Sequence, residues 1–174
     1  MGIAMVKRET RVLGVDTALR STGVAVVETK GNAMKAVKYG IIKVPAKARH
    51  SQCLSQISAG VAELIEKTKP DVIAIEGAFY CDNIKTAMVL GEARGAVIAT
   101  CAAKGIPIYE YAPRHVKQAV VGFGGASKGQ VRKMVMKLLG LTREPQEDEG
   151  DALALAICHL HNRSTLPALM PEQI

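Results

Sequence analysis

Tryptophan is absent from this chain of 174 residues, and only two phenylalanines and four tyrosines are present. With so few rings, any aromatic beside a candidate site needs its own account. Cysteine is sparse too. Cys53, Cys81, Cys101 and Cys158 are widely scattered and make no CxxC or other zinc spacing. That pattern argues against a zinc module or a disulfide scaffold and for a reduced, intracellular protein. Long apolar runs are missing as well: Lys, Arg, Asp or Glu interrupts every candidate, so no membrane span is expected. The stretch Met1 to Glu9 has no secretory apolar core and reads as a loose extension. No repeat, low-complexity tract or linker divides the rest, and the length suits one domain with its own core. The expected layout is an extension over 1–10, a domain over 11–164, and a loose tail over 165–174 containing Pro167 and Pro171.

One further absence is local. From Tyr111 to Arg143 there is no acidic residue, while Arg114, Lys117, Lys128, Arg132, Lys133, Lys137 and Arg143 supply seven cations. Without them the chain would carry as many cations as anions, so the whole net charge of +7 resides in this stretch. Such segregation suits a polyanionic partner such as nucleic acid. The plainer alternative is a solvated face of basic helices.

Apolar periodicity predicts strands at about 11–16, 23–28 and 34–44, with Lys30-Gly31-Asn32 turning between the last two. Leu54, Ile57, Val61, Leu64 and Ile65 recur at helical spacing. Pro70-Asp71 ends that helix and introduces a strand closing on Glu76. A long helix follows over about 84–104, then a strand over 106–111. Pro113 opens a short helix, and the loop Gly122-Phe-Gly-Gly125 leads to Ser127 and Gln130, spaced as a capping box for the next one. The last helix spans about 148–161. This order implies an α/β fold with a mixed sheet: hairpins lie on one side of the first strand, and the fourth and fifth strands are added in parallel through helical crossovers. The first and fourth strands then become parallel neighbours, with Asp16 and Glu76 side by side at their C-terminal ends, where open α/β sheets place ligands.

Asp148 and Asp151 stand three apart at a helix start, on one face of it. Each carboxylate has a structural alternative: a turn initiator at Asp16, a salt-bridged group at Glu76, a helix cap at Asp148, a dipole partner at Asp151. Together they form a set that would repel without a cation. Hard divalent metals take such oxygen ligands, and paired metals serve phosphodiester hydrolysis. Lys117 and Lys128 flank the glycine loop and can contact phosphates, with Arg114, Arg132 and Lys133 extending the track. Phe79 and Tyr80 follow Glu76. Phe79 is either a ring that stacks on an unpaired base or a core aromatic, and its place beyond the strand favours exposure. Ala87, Gly91, Gly95 and Ala99 form a stripe of small residues, which would pack against the chain's own sheet or a second subunit. His50, His115, His159 and His161 read as structural.

These residues resemble the bacterial RuvC Holliday-junction resolvases of the ribonuclease H-like superfamily. The resemblance covers about 11–162. It rests on Leu13-Gly-Val-Asp16, on Ala74-Ile-Glu76 with Phe79 and Asn83, on Leu90-Gly-Glu-Ala-Arg-Gly95, on Val116-Lys-Gln118 with Val120-Val-Gly122, and on Pro145-Gln146 leading to Asp148, Asp151, Ala152, Leu153 and Ala154. It implies a five-stranded mixed sheet of order 3-2-1-4-5 with helices on both faces. It implies that Asp16, Glu76, Asp148 and Asp151 are catalytic metal ligands for two Mg2+ ions, with Mn2+ able to substitute. Lys117 and Lys128 match the family's basic DNA-contacting positions, and Phe79 an aromatic that stacks on a base at the crossover. A homodimer, paired symmetric nicking of four-way junctions in recombination and repair, a branch-migration helicase partner and a cytoplasmic, nucleoid-associated location complete the expectation.

The chain departs from the family at Thr17-Ala18, where Pro-Gly is usual, at Asp82, where a basic residue is common, and at Glu147 and Glu149, which add charge beside the catalytic pair. Three other readings compete. One is a related nuclease acting on RNA or other branched DNA, and another a junction-binding protein without catalysis. The third, a sugar-kinase or actin-type ATPase domain, needs a second domain and phosphate loop for which the chain is too short.

Overall fold

Alternation along the strands sorts the core into two layers. In the computed structural model, which describes residues 9–77, 83–163, 170–171 and 173–174, the elements are β1 (Glu9–Asp16), β2 (Ser21–Lys30), β3 (Ala33–Lys43), α1 (His50–Thr68), β4 (Val72–Glu76), α2 (Ile84–Ala103), β5 (Ile108–Tyr111), α3 (Pro113–Val121), α4 (Lys128–Leu139) and α5 (Glu147–Asn162). The sheet runs β3-β2-β1-β4-β5, as expected. β1 pairs antiparallel with β2 and parallel with β4, with Val15 opposite Ile75.

Leu13, Val15, Val24, Val26, Ile73 and Ile75 face α1 and α2, whereas Val12, Ala25, Val27, Val72, Ala74 and Tyr111 face α3, α4 and α5. Successive strand residues point to opposite faces. Asp16 and Glu76 continue the second set, so both carboxylates are directed to the side that carries α5. Each fully buried Leu, Ile or Val contributes roughly 1.5–3 kcal/mol, and α5 supplies the densest run, with Ala152 to Leu160 all buried.

Local signals act where they were read. Gly31, Gly105, Gly122 and Gly140 adopt positive φ at turns or helix ends. Pro113 stands in the first turn of α3, and the Ser127–Gln130 capping box forms at α4. Cys53, Cys101 and Cys158 are free and buried.

Two expectations need correction. The end of the tail is not loose: Gln173 bridges Tyr109, and Ile174 N–H donates to the Ile108 carbonyl at 3.0 Å, covering the free edge of β5. In addition, α2 is long and apolar enough to cross a membrane by length and composition, with a mean hydropathy of 1.2, although it carries Lys85, Glu92 and Arg94. It lies against α1, with Ser58 and Thr100 hydroxyls hydrogen-bonded at 2.7 Å, Lys104 on Glu66 at 2.6 Å, and His50 paired with Glu92. Only Ala93, Val97 and Cys101 of α2 are buried.

Candidate active site

Two missing side chains bring the carboxylates together. A Cβ on Gly14 of β1 would lie 2.0 Å from the Ala152 carbonyl oxygen, and one on Gly23 of β2 would lie 2.0 Å from that of Asp148. No real side chain tolerates such distances. Glycine at both positions therefore lets the first turns of α5 rest directly on the strand backbones, beside the end of β1. Asp16, Glu76, Asp148 and Asp151 then line one cleft of about 310 Å³, together with Pro113, Val116 and Lys117 of α3 and Lys128 and Val131 of α4.

The surroundings hold each carboxylate in place. Buried Thr22 ties off the turn after Asp16: its hydroxyl donates to the Ala18 carbonyl at 2.6 Å and accepts from Ala18 N–H at 3.4 Å. The unusual Thr17-Ala18 pair is thus accommodated locally. Beyond Glu76, Gly77 N–H donates to the Tyr111 carbonyl at 2.9 Å, and Arg94, paired with Glu110, donates to the Glu76 carbonyl at 3.4 Å. Ser21 Oγ donates to Asp148 Oδ2.

The start of α5 excludes the structural alternative for Asp148. Gln146, not Asp148, is its N-cap. Glu149 accepts from Gln146 N–H at 2.8 Å and takes both arms of Arg143 at 3.1 and 3.2 Å. The extra acid Glu149 is therefore a buried structural group directed away from the cleft, and Arg143 also lies 5.0 Å over the Tyr39 ring. The other extra acid, Glu147, pairs with Lys128.

Electrostatics mark the cleft. Asp16 is pushed up to about 7, first by burial, then by the charges of Asp151, Glu76 and Asp148, with Lys128 opposing. Glu76 is raised by burial and Asp151, against Lys128 and Lys117. Asp151 is raised by burial, against the pull of Lys128. Such mutual repulsion disfavours the ionised set unless a cation joins it. Lys128 partly fills that role, with its Nζ 3.4 Å from Asp151 Oδ2. Hard oxygen donors in a repelling cluster fit divalent cations. The cage is not closed: among the described residues, no three acidic, His or Cys side chains converge tightly enough to ligate one ion. Ligation thus requires the side chains to turn inward and Lys128 to release Asp151.

The basic residues divide. Lys117 and Lys128 line the cleft. Arg114 faces a separate hollow with His115, Gln118 and His161, its stem against Gly124. Arg132 Nε lies 2.8 Å from Glu144 Oε1, off-axis for a hydrogen bond, and the Arg132 stem crosses α5 at Gly150. Lys133 is exposed on α4. Phe79, Tyr80 and Asp82 lie outside the described residues. The histidines make contacts within the fold: His159 is buried, bonded through Nδ1 to the Tyr111 hydroxyl at 2.8 Å, and lowered by burial to about 4. His161 donates to the Ala119 carbonyl at 2.8 Å, and His115 contacts Asn162 Oδ1 at 3.1 Å. Sequence reasoning did not find Ser21 or Thr22, and it quoted Arg94 only within the motif Leu90–Gly95, without a role. No spacing flags them, because their partners are distant in the chain or are backbone groups.

Comparison with known proteins adds the following. Residues 12–159 match the family described as crossover junction endodeoxyribonuclease RuvC. A protein of that name from Vibrio vulnificus is 45% identical over 158 residues, covering 91% of each chain. One from Syntrophomonas wolfei is 44% identical over 153 residues, 87% of this chain and 89% of that one. Thermus thermophilus RuvC in complex with Holliday junction substrate superimposes with a TM-score of 0.87 at 29% identity, over 95% of this chain and 99% of that one.

Proposed function

From the premise that the chain belongs to the RuvC family, with its ribonuclease H-like fold, we propose that Asp16, Glu76, Asp148 and Asp151 are its catalytic metal ligands and that Lys117 and Lys128 hold the phosphates of the cleaved strand. The protein is an endodeoxyribonuclease that acts on Holliday junctions by hydrolysing phosphodiester bonds. As in the rest of the family, its activity depends on divalent metal. The observation that carries the assignment is the convergence of four mutually repelling carboxylates on the cleft that also holds both lysines.

Two Mg2+ ions, or Mn2+ in their place, would supply water activation and stabilise the leaving 3′ oxygen when bound to the four carboxylates. The chain does the rest. Ser21 fixes the orientation of Asp148. The Arg94 contact and the Gly77 bond to β5 hold the strand end that presents Glu76. Lys128, once clear of Asp151, is free to pair with a phosphate, and Lys117 faces it across the cleft. These contacts supply affinity and position without reading sequence. Phe79 remains assigned to stacking on a base near the crossover, with Tyr80 beside it, and Arg114, Arg132 and Lys133 to the outer phosphate track.

Paired nicking of a two-fold junction calls for two active sites, and a two-fold dimer supplies them. The α2 stripe is the surface for that dimer. Ala87, Gly91, Gly95 and Ala99 are exposed, and a Cβ on either glycine would meet nothing within 4 Å. Ile84 and Met88 extend the stripe at 77% and 61% exposure. Among the described residues no close contact offsets the helix cost of those glycines, and a second copy is the partner that would account for them. The enzyme acts on DNA in the cytoplasm. Association with the nucleoid and with a branch-migration helicase complex belongs to the same reading.

The test is a labelled four-way junction incubated with Mg2+ and read on native and denaturing gels. Asp16→Asn is expected to bind the junction as wild type does and to lose nicking by about a thousandfold or more, the equivalent of several kcal/mol of charge stabilisation. Nicking retained by Asp16→Asn removes the assignment. Preferential cutting of an RNA hybrid over the junction favours the RNA reading instead.

A further inference from the structure

Phe123 is one of the chain's two phenylalanines, yet it is 63% exposed and belongs to neither core layer. A lone exposed apolar side chain is ordinary. This one is distinguished by how it is held. Its ring lies across Gly125, where a Cβ would come within 2.6 Å of Cζ and 3.0 Å of Cε1. A Cβ on the intervening Gly124 would lie 2.7 Å from Arg114 Cγ and 3.1 Å from Arg114 Nε. The loop is anchored at both ends. Gly122 closes α3 by donating to the Gln118 carbonyl at 2.8 Å, and buried Ala126 donates to the Phe123 carbonyl at 3.2 Å. The glycines thus let the ring fold back over the loop, mostly exposed, with the Arg114 stem against the same loop. The loop joins α3, which carries Lys117, to α4, which begins at Lys128, within the acid-free stretch.

We propose that Phe123 is a nucleic-acid contact: its free face stacks on a partly unstacked base of the junction strand leaving the cleft, with Arg114 on the neighbouring phosphate. An exposed ring in a basic segment is the combination that binds single-stranded or unstacked nucleic acid, and seating the ring on the loop beforehand lowers the ordering cost of binding. Phe123 lies outside the cleft lining, so its contribution is to affinity and placement of the strand. The proposal rests on the reading of Lys117 and Lys128 as phosphate contacts.

Junction binding is measured in EDTA, which prevents nicking, together with thermal melting. Phe123→Ala is expected to weaken binding about fivefold or more, the effect of losing one stacked base, with melting unchanged. Phe123→Leu, which keeps apolar bulk but no aromatic face, should bind like Phe123→Ala. Phe123→Trp should bind like wild type. Because the chain has no other tryptophan, its fluorescence should be quenched as junction saturates it. Wild-type affinity in Phe123→Ala or Phe123→Leu, a marked fall in melting temperature, or an unchanged Trp signal at saturation each overturns the proposal. Lys117→Ala in the same titration separates the two ideas. Weakening by Lys117→Ala alone removes only the ring contact, whereas wild-type affinity in both alanine variants also removes the phosphate reading.

Discussion

α2 and α5 are both alanine-rich, predominantly apolar helices, but they are treated in opposite ways. α5 buries 11 of its 16 residues between the sheet and its neighbouring helices, while α2 buries three of 20. The glycines that α5 needs are not its own. They are Gly14 and Gly23 on the strands beneath it, and each is essential to the approach. α2 carries its glycines itself, and Gly91 and Gly95 face open space. The contrast teaches that apolar character sets only the tendency to be covered. The partner is the chain's own sheet for α5, whereas α2 rests on α1 by one side and leaves its small-residue stripe open, the face proposed for a second copy.

The sharpest way to break this contrast is to add a side chain at a glycine on each side of it. Gly14→Ala drives a Cβ into the Ala152 carbonyl. It is expected to cost about 3 kcal/mol or more and to lower the melting temperature by roughly 10 °C, since α5 must lift from β1. An unchanged melt would show that α5 is not seated through Gly14.

A smaller effect separates the charged end of α5 from the uncharged stripe of α2. The folded-state pKa of Asp16 is raised to about 7, above its unfolded value. Between roughly pH 4 and 7 the metal-free folded state therefore holds a proton that the unfolded chain has released. Stability is full below the unfolded pKa and falls as pH rises through the folded one. The loss expected is about 2 kcal/mol after allowance for solvent screening of a half-buried group. Chemical denaturation across that range, with and without Mg2+, reads it directly. Metal should flatten the slope, and Asp16→Asn should remove most of it. A metal-free stability that climbs from pH 4 to 7 contradicts the repelling cluster.

The smallest effect on the fold is expected at α2. A Cβ at Gly91 meets nothing within 4 Å among the described residues, so in Gly91→Leu the stability of the chain itself should hold or rise by up to about 1 kcal/mol from helix propensity. Sedimentation should nonetheless show folded monomers, with paired nicking lost. A melt as damaged as that of Gly14→Ala would make the two helices alike, and a persisting dimer would move the interface elsewhere.

Much of this was legible in the chain. The turns at Gly31, Gly105 and Gly122, the helix opened by Pro113 and the Ser127–Gln130 box are local, and each formed as read. The neighbouring strand ends of Asp16 and Glu76 followed from crossover rules. What stayed open was decided by competition between nearby groups. A cap was the structural alternative for Asp148, and it is excluded because Gln146 and Glu149 take that role, with Arg143 neutralising Glu149 in a buried position. Glu147 does add repulsion at Asp151, as read, but it is also paired with Lys128, which only the folded arrangement supplies.

By itself the sequence determined the elements, their order and the chemical type of the site, because propensity, periodicity and turn chemistry act within a few residues. Only the tertiary structure decided which glycines are spaces for a helix and which are an open surface. It alone decided that Ser21 reaches Asp148 across 127 positions of sequence and that four carboxylates share enough burial and repulsion to push Asp16 up to about 7. Those properties depend on distances between groups far apart in the chain, and packing sets such distances while leaving no local pattern to read.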